Sequence, residues 1–355
     1  MSPTLPAGCQ LTAGAPAFLH QLLSALPQIR QVFGPGSPQW IEHLALAPRG
    51  LDGVLLFAEG QGQAYQPSAE HWNVEAGAMS ATPLKSQIAM SLSVAFSADG
   101  RYVALPAAES SEGLVSWDRR DGSERRLAVA DGCTCAAFHP GGALLAAGTE
   151  AGELFLWDLA EHRVSRALDG GRAQLVGLAF SPLGSLLVAS GARWGLQAWD
   201  PREPACLLRD DGGEADGMFY PPAFSPDGRR VALGSAGGQV LLHDGATAAR
   251  VALLRAHEAA VFSVVFDPSS QVLATAGLDG VLHFWDATHG EPLGALHMKA
   301  LAESQGLPLE DTEESAAARG SELDSPHLVA SVSWTRDAGL VLATHTHTWR
   351  WPASR

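Results

Sequence analysis

The stretch that comes closest to metal chemistry is "THTHTW" at 344–349, which sets His345 and His347 two residues apart. On a single strand that spacing turns both imidazoles to one face, as metal ligands require. No third ligand is evident in the sequence, so no metal is expected. Cys133 and Cys135 in "CTCAAF" repeat the same spacing. With Cys9 and Cys206 they are the only cysteines in 355 residues, too few for a disulfide framework. They read as small buried residues sharing one face of a strand. "HEAAV" at 257–261 has Val261 where a zinc-protease helix needs a second histidine. Neither a Gly-x-Ser-x-Gly nucleophile elbow nor a Gly-x-x-x-x-Gly-Lys phosphate loop occurs. No catalytic residue and no cofactor is expected.

The elements that would position any such group repeat. Trp-Asp closes a short apolar segment at 117–118, 157–158, 199–200 and 285–286, and His-Asp at 243–244 fills the remaining slot, so the steps are 40, 42, 44 and 42 residues. Upstream stand "FSADG", "FHPGG", "FSPLG", "FSPDG" and "FDPSS", with 21, 19, 19, 19 and 19 residues from the Phe to the Trp or His. Two further copies are degenerate. One runs from "IEHLALAPRG" to Tyr65, 19 residues after Leu46, and the other joins Trp334 to Trp351 across 17 residues. Each of the seven units reads as four strands of four to eight residues, separated by Gly, Pro, Asp and Ser. In the first strands, "IEHLAL", "LSVAF", "CTCAAF", "QLVGLAF", "YPPAF", "VFSVVF" and "VASVSW", only Glu42 and His43 are acidic or basic. That leaves no ring of carboxylates or histidines for acid–base work or for calcium.

Composition narrows the function classes further. The net charge is −15, and of the 23 basic residues only Lys85 and Lys299 are lysines. Such a chain lacks the clustered cations that bind nucleic acid or anionic membrane. No run approaches the roughly 18 apolar residues of a membrane helix, and the N-terminus does not read as a signal peptide. A cytoplasmic protein is expected.

Units of about 42 residues with F-S-P-D-G before the second strand and W-D ending the third resemble the WD-repeat β-propellers. The resemblance covers about residues 40–355. It implies an all-β fold, a seven-bladed propeller of four-stranded blades, with a short helix expected within 14–30. On this reading residues 1–30 are an N-terminal extension and 31–355 the propeller. Residues 28–36, "QIRQVFGPG", are then available as the outer strand of the last blade. An acidic insertion spans about 298–328, between blades six and seven. The family's Trp–Ser/Thr–His–Asp tetrad is kept in full only in the sixth unit, as His257, Thr275, Asp279 and Trp285. The position of Asp279 is Ala151, Arg193 and Gly237 in units three, four and five.

The resemblance implies a non-enzymatic scaffold that presents one face to a protein or peptide partner, either as a monomeric propeller or as a subunit of a hetero-complex. The candidate partner-binding residues are Arg193 and Trp194 in "GARWGL" and Phe219 and Tyr220 in "DGMFYPP", since aromatics and arginine dominate binding hot spots. The alternative is a propeller enzyme or small-ligand binder using the channel mouth near Glu42, His43, His345 and His347.

Overall fold

A computed structural model describes residues 5–32, 39–61, 64–79, 84, 86–89, 94–109, 113–171, 173–192, 194–213, 215, 217–255, 257–307, 329–345 and 347–353. Seven antiparallel sheets follow one another along the chain. The third blade is typical: Cys133–Phe138 is innermost, then Leu144–Thr149, Leu154–Asp158 and, at the rim, Arg163–Leu168. Short strands of alternating side chains joined by tight turns can pair only with their neighbours, so each unit folds on itself. No described helix is long and apolar enough to cross a membrane.

The hydrophobic core is a ring of seven wedges, one between each pair of adjacent blades. In every blade but the fifth, where His243 stands, the tryptophan at the end of the third strand plugs the gap toward the preceding blade. Trp285 joins the wedge between blades five and six, Trp199 that between three and four, and Trp117 that between one and two. In the first blade the plug is Trp72, paired with Gly53, and not Tyr65, which pairs with Gly60. The reason is length: the middle hairpin here is Asp52–Gln61 and Ala64–Asn73, ten residues per strand, so the aromatic arrives later in the sequence.

A bulge recurs near the start of the innermost strand in blades one, three, four, six and seven. An extra residue reverses which face the following side chains occupy. Cys133 and Cys135 therefore do not share a face. Cys133 enters the wedge between blades two and three, and Cys135 the next one. Both are free thiols, and burial pushes them up to about 11 and about 12 respectively, so they are unreactive.

The N-terminal segment is laced into the ring. Gln28–Gln31 pairs with His347–Trp351 as the outer strand of blade seven, which interlocks the two ends of the chain. Cys9–Leu11 adds a fifth strand to the rim of blade six. Between them α1 (Ala17–Ser24) buries Leu19, Leu22 and Leu23 against blades six and seven. A division at residue 30/31 thus cuts through a paired strand, and the extension is part of the propeller. The insertion after blade six begins as a second short helix, α2 (Met298–Ser304), with Met298, Leu301 and Ala302 buried. Residues 308–328 lie outside the described residues.

Hydroxyls on the innermost strands fasten blades to one another. Ser263 Oγ donates to Val332 O at 3.2 Å and accepts from Val332 N at 3.1 Å. Ser331 Oγ donates to Leu44 O at 2.9 Å, and Thr134 Oγ1 to Leu175 O at 2.6 Å. Ser263→Ala should lower stability by about 1–3 kcal/mol, because it removes both bonds and strands buried backbone groups. Urea unfolding of the variant, with an unchanged m-value, checks this.

Candidate functional site

The tetrad is assembled on one edge of blade six. His257 comes from the loop entering the blade, Thr275 from the second strand, Asp279 from the turn after it and Trp285 from the third strand. Trp285 Nε1 donates to Thr275 Oγ1 at 3.0 Å, and Thr275 Oγ1 lies 3.0 Å from His257 Nε2. Since the hydroxyl accepts from Trp285, it donates to Nε2. His257 then carries its proton on Nδ1 and donates it to Asp279, 3.0 Å away. Burial works against the Asp279 carboxylate. The hydrogen bond from His257 and the N–H groups of Glu258 and Val281 outweigh it and hold the carboxyl below its usual range.

His283 stands beside this chain, its ring edge-on to His257 at 4.7 Å and stacked on Trp285. Burial, with His257 adding to it, pushes its pKa down to about 4. His257, Asp279 and His283 are close enough to hold a metal ion. Both nitrogens of His257 are already committed, however, so an ion would have to break the tetrad. His345 and His347 do not form a pair on one strand. The second strand of blade seven ends at Thr344 and the third begins at His347, so a turn divides them.

In blade three the position of Thr275 is Ala147, and Trp157 Nε1 is buried without an acceptor among the described residues. Two opposite shifts are expected from these equivalent positions. Thr275→Val should lower stability by about 2–4 kcal/mol, because it strands both Trp285 and His257. Ala147→Thr should raise it by up to about 1 kcal/mol by giving Trp157 its acceptor. Thermal unfolding of the two variants reads both signs.

Of the candidate partner residues, the described ones are buried or half-buried. Phe219 is 1% exposed and lies between blades four and five, with its backbone N–H bonded to Gly191 O. Tyr220 is 5% exposed, its ring edge-on to Phe262 at 4.4 Å. Pro221 and Pro222 follow. They lack the N–H groups that would continue the ladder, so the innermost strand is interrupted between Ala223–Phe224 and the isolated bridge of Phe219 to Ser235. Trp194 is half-buried in the wedge between blades three and four, packed close over Gly191. Arg193 lies outside the described residues.

What the ring does display is a face of carboxylates. Loops between blades and turns between second and third strands emerge on one side. They carry exposed Glu109, Asp131, Glu150, Glu153, Asp169, Asp211 and Glu258. Among the described residues of these loops Lys299 is the only lysine or arginine. The opposite face is mixed, with exposed Arg49, Arg120, Arg202, Arg229 and Arg336 among its acids. Reading the sequence unit by unit finds this asymmetry once the strand register is known, whereas overall composition conceals it.

The central channel, about 350 Å3, is bordered by Phe96, Phe138, Phe262, Leu178 and Val332 together with His43, Ser263 and Ser333. Burial pushes the His43 imidazole down to about 4, so it is neutral at pH 7. A larger groove of about 700 Å3 runs between blades two and three, over Tyr102, Phe138 and Leu159. Within it Arg101 bonds Asp118 at 2.8 Å, Arg125 lies 3.0 Å from His162, and Asp99 and Glu124 accept from serine hydroxyls.

Similarity to known proteins follows the same repeats. The family "WD domain, G-beta repeat" matches residues 126–158 and 249–286. Each match runs from the rim strand of one blade through the third strand of the next. The chain is 28% identical to WD repeat-containing protein SL1-17 of Schistosoma mansoni over 183 residues, 50% of this chain and 60% of that protein. It is 29% identical to the WD repeat-containing protein 3 homolog of Dictyostelium discoideum over 127 residues, 35% of this chain and 13% of that protein. With WD repeat-containing protein VIP3 of Arabidopsis thaliana it shares 26% over 150 residues, 39% of this chain and 46% of that protein. The chain thus spans less than two thirds of each of these relatives.

Proposed function

We propose that this chain, a WD-repeat β-propeller of divergent sequence, is a non-enzymatic scaffold that holds a protein or peptide partner on its carboxylate-bearing face, in the cytoplasm. Proteins with such repeats generally mediate protein–protein interaction. The observation that carries the reading is the contrast between the channel wall and the loops. Among the described residues the wall offers one neutral imidazole and serine hydroxyls already bonded to backbone. The loops offer a broad array of exposed carboxylates on rigid turns. Such an array attracts a Lys- or Arg-rich segment and speeds its association, an effect that salt weakens.

Charge reversal tests the reading. Glu150→Arg combined with Glu153→Arg and Glu258→Arg alters the acidic face, and Arg229→Glu with Arg336→Glu alters the other. Capture from the native lysate should recover one partner set with wild type and with the second variant, and lose it with the first. Retention by the first variant and loss by the second would place the partner on the other face and overturn the assignment.

A further inference from the structure

Within the channel, one group is left without a partner. Ser263 and Ser333 on the wall direct their hydroxyls to the backbone of Val332 and Leu44. His43 is different. Its backbone belongs to the innermost strand of blade one, Gln39–Leu46, just past the bulge between Ile41 and His43. The bulge leaves Ile41 in the wedge and His43 on the channel wall. Its imidazole meets no hydrogen-bonding or charged side chain among the described residues. A neutral ring keeps one donor and one acceptor, and the half-buried His43 ring offers both to whatever enters the channel. Phe96, Phe138 and Phe262 from three different blades also border the channel, Phe96 and Phe138 while packing against wedge cores, and Tyr220 lies edge-on to Phe262.

We propose that the channel binds a neutral aromatic group bearing one hydroxyl, a phenol, with the ring among Phe96, Phe138 and Phe262 and the hydroxyl hydrogen-bonded to His43. The volume of about 350 Å3 falls within the range of small-ligand pockets. Aromatic walls favour an edge-to-face guest. The wall provides no counter-charge, so an ionised guest would give up its hydration for nothing. The phenol has two sources, a free small molecule or a tyrosine side chain of a docked peptide. The proposal goes beyond the scaffold reading and does not depend on it.

Calorimetric titration of the full chain with 2-naphthol and with naphthalene tests the hydroxyl contact. Wild type should bind 2-naphthol about tenfold more tightly than naphthalene, the scale of one net hydrogen bond. His43→Leu should bind both alike. His43→Gln, which keeps a donor and an acceptor, should retain part of the preference and serves if the leucine variant folds poorly. Phe262→Ala, which removes one aromatic side of the channel, should weaken binding of both. Acetyl-Gly-Tyr-Gly-amide against its Phe counterpart separates the sources: a Tyr preference lost in His43→Leu points to a partner's side chain, and response to 2-naphthol alone points to a small molecule. Equal affinity for the two naphthalenes in wild type, a preference that survives His43→Leu and His43→Gln unchanged, or no binding of either overturns the proposal.

Discussion

Deleting residues 1–31 should abolish cooperative unfolding of the ring rather than trim an appendage. The deletion removes the outer strand of blade seven and the fifth strand of blade six. It also removes α1, whose Leu19 and Leu23 are fully buried beside Trp334, Trp349 and Trp351. Each buried leucine contributes about 1.5–3 kcal/mol, so α1 alone approaches the ~5–15 kcal/mol that separates a folded domain from its unfolded chain. The loss also opens the edge of blade seven to pairing with other molecules. The truncated protein should aggregate and lose its sharp thermal transition. Leu23→Ala, a milder form of the same test, should lower stability by about 3 kcal/mol. A truncated chain that melted like the full one would show that the ring closes without its N-terminus.

Mild acid should destabilise the protein chiefly through its buried imidazoles. Burial holds His43 and His283 down to about 4, and lowers His71, His243 and His347 as well. The sign follows from proton counts. Below pH 6.5 the unfolded chain protonates these imidazoles while the folded ring does not, so the unfolded state binds more protons and stability falls as pH falls. The slope ends near the folded values, about 4 for His43. At pH 5 His43 alone accounts for about 2 kcal/mol. His71 adds a structural reason, because its Nε2 lies 2.7 Å from the Arg119 guanidinium, and protonation would set two cations face to face with only Asp52 nearby. Urea midpoints measured from pH 7.5 to 5 should fall continuously in wild type and less steeply in His43→Leu. A flat profile over that window would contradict the buried, neutral assignment.

Much of this architecture is legible from spacing. The interval between the Phe of the first turn and the Trp of the third strand fixes seven units because each strand and turn has a set length. Where the length changes, the reading slips: the ten-residue hairpin of blade one moves the plug from Tyr65 to Trp72. Parity fails for a related reason. The bulge between Cys133 and Cys135 leaves no mark in the sequence, yet it sends the two thiols into different wedges. The tetrad was readable because His257, Thr275, Asp279 and Trp285 each sit at a fixed turn or strand position. The burial of the candidate anchors was not. Phe219 and Tyr220 looked like rim anchors, but both are buried, Phe219 between blades four and five and Tyr220 against Phe262.

The most direct measurement places a photo-cross-linking amino acid at Ala151 on the carboxylate face, and separately at Ala246 on the other. Both side chains are exposed on turns. After irradiation in the native cell, the scaffold account predicts a discrete partner adduct from position 151 and none from 246. An adduct from position 246 alone, or none from either, would contradict the claim that this face holds the partner.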